Sequence, residues 1–238
     1  MTFPMAVGAP GSLYARLIRW GFARFYHEFA WTYDTVAALV SAGQWRNWTL
    51  TALKFARGAT LELGCGTGYV QLALAQCHTG SRVGLDRSPS MIRLTRRRLQ
   101  RSGFPASLVR ADAGALPFAS ASFDTVLATF PSDYIAAETT IVEIRRVLRP
   151  GGTVAIAVWA RFADDSPYAR LVDVAYRLTL QRSPRNPTSD ASIVLQRFAA
   201  LFERAGLETA FSEVQAPGGI VQYVIGTYQK HDPHLPDS

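Results

Sequence analysis

The sequence predicts an α/β fold built on a mostly parallel sheet with helices on both faces. From about Gly58 onward, short apolar runs alternate with segments of helical periodicity, the pattern typical of parallel sheets. Glycines at positions 64, 66 and 68 join the first predicted strand to the first predicted helix. A length of 238 residues, 48% of them hydrophobic, is enough for one substantial core.

Five apolar or β-branched runs are the strand candidates of the alternating part. Each run is bounded by turn-forming residues and is short, as strands of a buried sheet are. The predicted strands are Thr60–Leu63, Arg82–Asp86, Ala106–Ala111, Phe123–Thr129 and Thr153–Trp159.

Three helices are predicted between these strands. Ser88 is a suitable N-cap for the second of them, with Pro89 at its first helical position. Pro150-Gly151-Gly152 ends the third helix and leads into the fifth strand. The predicted helices are Tyr69–His78, Pro89–Arg101 and Ala136–Leu148.

The last third of the chain departs from this alternation. Residues 161–190 form an insertion after the fifth strand, with a predicted helix at Tyr168–Leu180. A further helix is predicted at Ser192–Ala205. Two final strands, Leu207–Val214 and Ile220–Tyr228, are joined by a Pro-Gly-Gly turn into a hairpin, so at least one strand must run antiparallel to the others.

The chain divides into three predicted parts. Residues 1–57 are an N-terminal helical extension or lid, residues 58–230 are the main domain, and residues 231–238 are a disordered tail. Within the extension, Leu13–Phe29 has an aromatic face opposite an arginine-rich face. Trp45 and Trp48 are interpreted as packing anchors rather than as platforms for a substrate.

Composition excludes several classes of protein. Cys65 and Cys77 are the only cysteines, which gives no disulfide framework and favours a cytoplasmic location. The 4 histidines are scattered or terminal, so no metal site is predicted. The apolar runs are shorter than the roughly 18 residues that a membrane span needs. The formal charge of +7 fits a solvated basic surface or an anionic partner.

The glycine-rich turn predicts a ligand at the carboxyl edge of the sheet. Glycines without Cβ atoms let the backbone of residues 64–68 approach a bound molecule closely. A dinucleotide fingerprint needs a small residue five positions after its first glycine, and this chain has Tyr69 there. The turn therefore indicates a nucleoside ligand without a pyrophosphate.

Three carboxylates follow or end successive predicted strands. Asp86 can accept hydrogen bonds from both hydroxyls of a ribose, or serve as a turn residue before Ser88. Asp112 can accept from an adenine amine, or be a solvated residue at a strand end. Glu62 can receive an ammonium group or fix the backbone of the glycine turn.

Several motifs together resemble the class I S-adenosylmethionine-dependent methyltransferases, and in particular the subgroup of ubiquinone and menaquinone biosynthetic enzymes. The similarity covers roughly residues 58–159, with the motifs in the family's order. It implies a Rossmann-like, seven-stranded sheet with a reversed last strand, S-adenosylmethionine as the cofactor and S-adenosylhomocysteine as the product. The matching segments are Leu61–Val70, Gly84–Ile92, Ala111–Phe118, Ser122–Val126 and Arg146–Gly152.

The same resemblance implies roles for individual residues. The methionine end of the cofactor would lie at Glu62, Gly64 and Gly66, within the turn that also contains Cys65 and Gly68. Asp86 would hold the ribose. The adenine would be flanked by Arg87, Met91, Asp112 and Ala113, and the reactive sulfonium by Thr129 and Phe130. Tyr33 would touch the cofactor carboxylate as part of a lid, although Trp31 and Tyr33 could equally attach the extension to the sheet.

No residue is singled out as a general base. A sulfonium is already an activated methyl donor, so a base is needed only when the acceptor must lose a proton. The candidates are His27, Asp34, Asp133 and Tyr134. Each also has a structural explanation; Asp133 could cap the third helix and Tyr134 could form part of the wall.

The leading hypothesis is a small, lipophilic or aromatic acceptor enclosed by the N-terminal helices and the insertion. Residues 129–134 read Thr-Phe-Pro-Ser-Asp-Tyr, unlike the Asn/Asp-Pro-Pro-Tyr/Phe of many amino-group methylases, so a nucleic-acid partner is not expected. Both enclosing segments are rich in aromatic residues, namely Phe22, Phe25, Phe29, Trp31, Trp159, Phe162, Tyr168 and Tyr176.

Two alternatives remain open. Arginines between Arg93 and Arg101 could bind RNA, which would make the protein an RNA methyltransferase. The amphipathic N-terminal helix could instead lie on the inner face of a membrane, where the enzyme would methylate a lipid. The sequence leaves the oligomeric state and the methylated atom open.

Overall fold

The sheet has seven strands in the residues that the structure describes. The structure is a computed structural model, and it describes residues 43–162 and 187–229, with the helical backbone alone for residues 187–194. The strands are β1 Thr60–Leu63, β2 Arg82–Asp86, β3 Leu108–Arg110, β4 Phe123–Thr129, β5 Leu148–Phe162, β6 Leu207–Ala216 and β7 Gly219–Tyr228.

Helices connect these strands on both faces of the sheet. Two short 3₁₀ turns, Thr51–Phe55 and Asp133–Ala136, accompany them. The α-helices are α1 Trp45–Leu50, α2 Tyr69–Cys77, α3 Pro89–Arg101, α4 Glu138–Val147 and α5 Pro187–Arg204.

The strand order is β3-β2-β1-β4-β5-β7-β6. β1 lies at the centre of the parallel part, where Leu61 is opposite Val83 of β2 and Val126 of β4. β7 is antiparallel to both of its neighbours, β5 and β6. This arrangement confirms the predicted α/β class, the seven strands and the reversed last strand.

Several predicted boundaries differ from the structure. α5 begins at Pro187 rather than at the predicted Ser192, and β6 extends to Ala216 rather than Val214 because it stays paired with β7. β3 is shorter than expected because it pairs with β2 only from Gly84 to Asp86. β5 is longer because Leu148 already pairs with Phe123 and its far end pairs with the last hairpin. The helix predicted from Ala136 begins later, at α4, because residues 133–136 form a 3₁₀ turn.

The sheet has an apolar core on each face. Along β4 the side chains alternate, so Val126 joins one core and Leu127 joins the other. The first core contains Ile144 of α4 and Phe202 of α5. The second contains Leu74 of α2 together with the tryptophans of α1. Because both faces are covered, a ligand can approach β1 and β4 only at their ends.

Trp45 and Trp48 are buried, with 6% and 2% of their surface exposed, which confirms that they are packing anchors. The Trp48 ring lies edge-on to Phe162 with 5.2 Å between centroids. The predicted amphipathic helix Leu13–Phe29, the helix Tyr168–Leu180 and the tail 231–238 lie outside the described residues, and the domain boundaries stay predictions. No helix in the described ranges is both long and apolar enough to cross a bilayer.

Candidate functional site

Three glycines with positive φ turn the chain from β1 into α2. The φ angles of Gly64, Gly66 and Gly68 are +67°, +52° and +84°. Residues with a Cβ rarely adopt this left-handed region, so the repeated glycine has a conformational cause. The turn brings the backbone of residues 64–68 to the carboxyl edge of the sheet.

The three glycines have different surroundings. A Cβ on Gly64 would lie 2.5 Å from the Tyr134 hydroxyl oxygen, and one on Gly68 would lie 2.7 Å from Thr95 Cγ2. A Cβ on Gly66 would meet, among the described residues, only the Gly64 carbonyl oxygen at 3.8 Å. Gly66 is therefore the member of the turn whose bare backbone faces open space.

Asp86 connects this turn to the start of α3. Its Oδ2 accepts the Gly66 N–H at 2.9 Å, and its Oδ1 accepts the Ser88 N–H at 2.8 Å. Burial raises the pKa of Asp86, and the two backbone hydrogen bonds oppose that rise. A carboxylate oxygen has two lone pairs, so each oxygen can still accept from a ligand hydroxyl.

Ser88 caps α3 as the sequence predicts. Its hydroxyl accepts the Met91 N–H at 3.4 Å, and Pro89 occupies the first turn of the helix. The cap follows Asp86 by two residues, so the carboxylate and the helix start are placed together.

Glu62 lies inside β1, within the strand that the sequence predicts. It is 2% exposed, and its Oε2 accepts a hydrogen bond from Gln71 Nε2 of α2 at 2.8 Å. Burial raises the pKa of Glu62 to about 8; the negative charge of Asp86 adds to the rise and the Gln71 hydrogen bond opposes it. Glu62 is thus a buried carboxyl beneath the turn, and its burial favours the protonated form.

Asp112 lies in the loop after β3, two residues beyond the strand that it was predicted to end. Its Oδ1 accepts the Gly114 N–H at 2.8 Å. Its Oδ2 lies 3.7 Å from the Arg87 guanidinium, and both side chains are largely exposed. Arg87 and Asp112 therefore meet across the tips of β2 and β3.

The neighbouring cofactor-site candidates Cys65, Met91 and Ala113 are buried. Cys65 lies within the turn and donates its N–H to the Leu85 carbonyl at 2.9 Å. Burial raises the pKa of the Cys65 thiol well above its usual range. These three residues line the interior side of the turn and of the tips of β2 and β3.

Two residues of α4 hold the loop that contains Asp112, and sequence reasoning missed both. Glu143 accepts the Leu116 N–H at 2.6 Å, and Arg146 donates to the Leu116 carbonyl at 2.9 Å and to the Phe118 carbonyl at 2.7 Å. The two side chains pair at 2.7 Å, and the hydrogen bond from Arg146 lowers the pKa of Glu143. Their spacing of three residues on a helix was the available signal.

Thr129 and Phe130 mark the end of β4 beside the turn. Phe130 has a φ of +47°, an unusual value for a residue with a Cβ, and it is 4% exposed. Its N–H donates to the Ala157 carbonyl at 2.9 Å, and its ring packs on Trp45 with centroids 4.9 Å apart. Such strained backbone is frequent at functional sites.

Of the four general-base candidates, Asp133 and Tyr134 are described, and they begin the 3₁₀ turn after β4. The Tyr134 hydroxyl lies against Gly64, so this side chain reaches the glycine turn. Asp133 caps neither helix, because Ser132 precedes the 3₁₀ turn and Ala137 precedes α4, which corrects the predicted cap. Burial raises the pKa of Asp133, and the charge of Arg197 opposes that rise.

The other predicted site residues fall elsewhere. His27, Tyr33 and Asp34 lie outside the described residues. Within residues 43–162 and 187–229, the structure brings no three metal-ligating side chains together.

The sequence analysis missed two further residues of the site. Gln71 holds Glu62, and Thr95 holds the glycine turn. Each is a polar residue on the buried side of its helix, and this position was the signal available in the sequence.

Comparison with known proteins gives a consistent set of similarities. Residues 60–152 match a family model described as a methyltransferase domain. The chain is 35% identical over 140 residues to the demethylmenaquinone methyltransferase of Thermus thermophilus, covering 55% of this chain and 62% of that protein. It is 27% identical over 230 residues to a ubiquinone/menaquinone biosynthesis C-methyltransferase of Burkholderia mallei, covering 86% and 91% of the two chains.

A solved structure has a similar fold. The crystal structure of a putative S-adenosyl-L-methionine-dependent methyltransferase from Methanococcus maripaludis superposes with a TM-score of 0.54, at 14% identity. The superposition covers 97% of this chain and all of the other.

Proposed function

We propose that the chain is a class I S-adenosylmethionine-dependent methyltransferase similar to the ubiquinone and menaquinone biosynthesis subgroup. On that premise, its acceptor is a small lipophilic or aromatic molecule. The observation that carries the proposal is a set of aromatic side chains next to the glycine turn. Trp45 packs on Phe130 and Trp48 packs on Phe162, at the carboxyl ends of β4 and β5. This buried packing makes the end of the sheet apolar beside the site, which favours an acceptor with little charge.

The residues present fit the cofactor. The open space in front of Gly66 admits a ligand to bare backbone, and Asp86 beside it keeps lone pairs for two ribose hydroxyls. Glu62, Gly64 and Gly66 would hold the methionine end, in the turn that also includes Cys65 and Gly68. The adenine would be held by Arg87, Met91, Asp112 and Ala113.

When bound, S-adenosylmethionine supplies a methyl group already activated on a sulfonium. The protein's own residues then have to orient the reactants and exclude water. Phe130 and Trp45 exclude water at the end of β4, because their rings form a buried pair. Thr129 and Phe130 would border the acceptor.

Tyr134 is our choice among the general-base candidates that the structure describes. Its hydroxyl lies against Gly64, whereas Asp133 lies at the exposed start of the same 3₁₀ turn. A role for Tyr134 in proton transfer applies only to an acceptor that loses a proton. For other acceptors the side chain would form the wall beside the methionine arm.

The names of the relatives support the choice of acceptor. One relative is named a demethylmenaquinone methyltransferase and the other a ubiquinone/menaquinone biosynthesis C-methyltransferase, and ubiquinone and menaquinone are lipophilic ring compounds with isoprenoid tails. The alternatives have less support from the described residues. Of the arginines proposed for RNA, Arg98 is placed 3.6 Å over the ring of Tyr69 and is therefore part of the packing.

The test uses methyl-labelled S-adenosylmethionine and a cell extract separated into solvent-extractable lipids and phenols, RNA, and protein. We expect label in the extractable fraction. An Asp86→Ala variant should lose this transfer, whereas Asp124→Asn, which changes a carboxylate at the opposite edge of the sheet, should keep it. Label that appears only in RNA would overturn the proposal and support the RNA alternative.

A further inference from the structure

We propose that Thr95 is a positioning residue for the cofactor, because it holds the glycine turn in the conformation that receives the methionine arm. The inference rests on the proposed binding of S-adenosylmethionine at this turn. Thr95 lies in the middle of α3 and has no exposed surface. It contacts the turn from the side opposite to the open space in front of Gly66.

The Thr95 hydroxyl fixes the carbonyl group of Gly66. Its Oγ1 donates to the Gly66 carbonyl oxygen at 2.7 Å, across a sequence separation of 29 residues. The N–H of the same glycine donates to Asp86 at 2.9 Å. Both polar backbone groups of Gly66 are thus held, the N–H by Asp86 at the end of β2 and the carbonyl by Thr95 in the middle of α3.

Gly66 needs such support more than other residues of the turn. A glycine has no Cβ to restrict its rotation, and here it must keep a φ of +52° without packing contacts from a side chain. If the Thr95 bond is removed, the Asp86 bond is the remaining side-chain hydrogen bond to Gly66 that the described residues show. The turn would then be more mobile in the free protein, and fixing it on ligand binding would cost conformational entropy and lower the affinity.

Thr95 also fills the space that Gly68 and Cys65 leave. A Cβ on Gly68 would come within 2.7 Å of Thr95 Cγ2 and 2.9 Å of its Oγ1, so the helix packs directly on the bare backbone there. The Cys65 thiol lies 3.9 Å from the same hydroxyl. One side chain therefore touches three of the turn's residues.

A second contact from α3 supports the same segment one residue further on. The Arg98 guanidinium lies 3.6 Å above the ring of Tyr69, the first residue of α2. Thr95 and Arg98 are three residues apart on one helix, so they lie on neighbouring parts of its surface. α3 thus supports the chain from Cys65 to Tyr69, and its N-cap Ser88 follows Asp86, the last residue of β2, by two residues.

The experiment measures binding of S-adenosylhomocysteine by titration calorimetry and stability by thermal unfolding. Thr95→Val keeps the shape of the side chain and removes the hydroxyl, and it should weaken binding about fivefold to tenfold. Thr95→Ser keeps the hydroxyl and should bind within about twofold of the wild type. If Thr95→Val does not fold, the pair Thr95→Ser and Thr95→Ala makes the same comparison.

Thr125→Val is the matched control for a simple loss of stability. Thr125 is equally buried, and its hydroxyl donates to the Arg57 carbonyl at 2.9 Å and accepts the Arg57 N–H at 3.0 Å, at the opposite edge of the sheet. We expect this variant to lose stability and keep its affinity.

Equal binding by Thr95→Val and the wild type, or an equal loss in Thr125→Val, would overturn the role of Thr95 and leave the cofactor assignment standing. If the wild type itself does not bind S-adenosylhomocysteine, both the cofactor assignment and the role of Thr95 are wrong.

Discussion

The carboxylate of Asp86 accepts the backbone N–H of Gly66 across 2.9 Å. This bond ties the end of β2 to the glycine turn after β1, two segments separated by a complete helix. Asp86 therefore has two tasks, because the side chain that would hold the ribose also builds the turn that would hold the methionine arm. A single substitution at this position should affect both.

We expect Asp86→Ala to weaken S-adenosylhomocysteine binding by about 1.5–3 kcal/mol, or roughly 10- to 150-fold, the usual cost of losing charged hydrogen bonds. Titration calorimetry measures the affinity. Asp86→Asn keeps one carbonyl oxygen for a backbone N–H and should lose less.

Asp124 provides a control for this substitution. Its Oδ2 accepts the Ala59 N–H at 2.7 Å and pairs with Arg149 at 2.7 Å, at the edge of the sheet away from the turn. Asp124→Asn should lower the unfolding temperature and leave the dissociation constant unchanged. Comparable binding by Asp86→Ala and the wild type would contradict the ribose assignment.

A second prediction concerns Gly66, whose bare backbone faces open space. Alanine at this position should cost about 1 kcal/mol of stability, because its φ of +52° is left-handed. The new methyl group would project into the proposed path of the cofactor, so binding should weaken at least about tenfold. Calorimetric titration and denaturant unfolding measure the two effects separately.

Gly103→Ala is the control for Gly66→Ala, because it introduces the same backbone strain away from the proposed cofactor site. Gly103 has a φ of +77°, and no atom of the described residues lies within 4 Å of the place that an alanine methyl group would occupy. Gly103→Ala should be destabilised to a similar extent and should bind S-adenosylhomocysteine normally. If Gly66→Ala also binds normally, the ligand does not approach the turn from this side.

The parts of the fold that depend on local pattern could be predicted from the sequence. The strands Thr60–Leu63, Arg82–Asp86 and Phe123–Thr129 have the predicted bounds, because each is a short apolar run between turn residues. The Ser88 cap and the glycine turn were also predicted, since both are set by residues close in sequence.

Contacts between distant segments could not be predicted in this way. The hydrogen bond from Thr95 to Gly66 depends on how α3 sits on the sheet, and the bond from Gln71 to Glu62 depends on the rotation of α2. The helical spacing puts each polar side chain on the buried side of its helix, but it does not indicate which residue that side chain contacts. The burial of Glu62 follows from the same packing, so the sequence could place this carboxyl on the first strand but could not show that it is buried.

Glu62 gives a third prediction, on the pH dependence of stability. Its pKa in the folded protein is raised to about 8 from an ordinary value of 4.5, so between these values the folded state holds a proton that the unfolded state releases. Stability should therefore fall as the pH rises through this window and level off above about pH 8.

Glu62→Gln has no proton to hold and should lack this contribution. We expect its unfolding free energy, relative to the wild type, to increase by on the order of 2–4 kcal/mol between pH 4.5 and 8. Urea unfolding at several pH values measures the difference. A difference that stays constant with pH would show that Glu62 is ionised in the folded protein.

The last prediction concerns the clamp formed by Glu143 and Arg146 on the loop that carries Asp112. Glu143→Gln removes a charge that accepts both the Leu116 N–H and the Arg146 guanidinium, so we expect a loss of about 1–3 kcal/mol at pH 7. Because the pKa of Glu143 is lowered in the folded state, its contribution is present above the ordinary glutamate pKa and is lost as the pH falls through the folded value. The two proteins should therefore converge in stability in acid.

Glu213→Gln separates this clamp from an ordinary surface ion pair. Glu213 lies 3.6 Å from Arg161, and about half of each side chain is exposed, so its substitution should cost less than about 0.5 kcal/mol. Urea unfolding at pH 7 and at pH 3–4 compares the two variants with the wild type. Because the clamp positions the loop that carries Asp112, the Glu143→Gln variant should also bind S-adenosylhomocysteine more weakly. The Glu213→Gln variant should bind it as the wild type does. Equal stability of the two variants at pH 7 would show that the loop does not depend on Glu143.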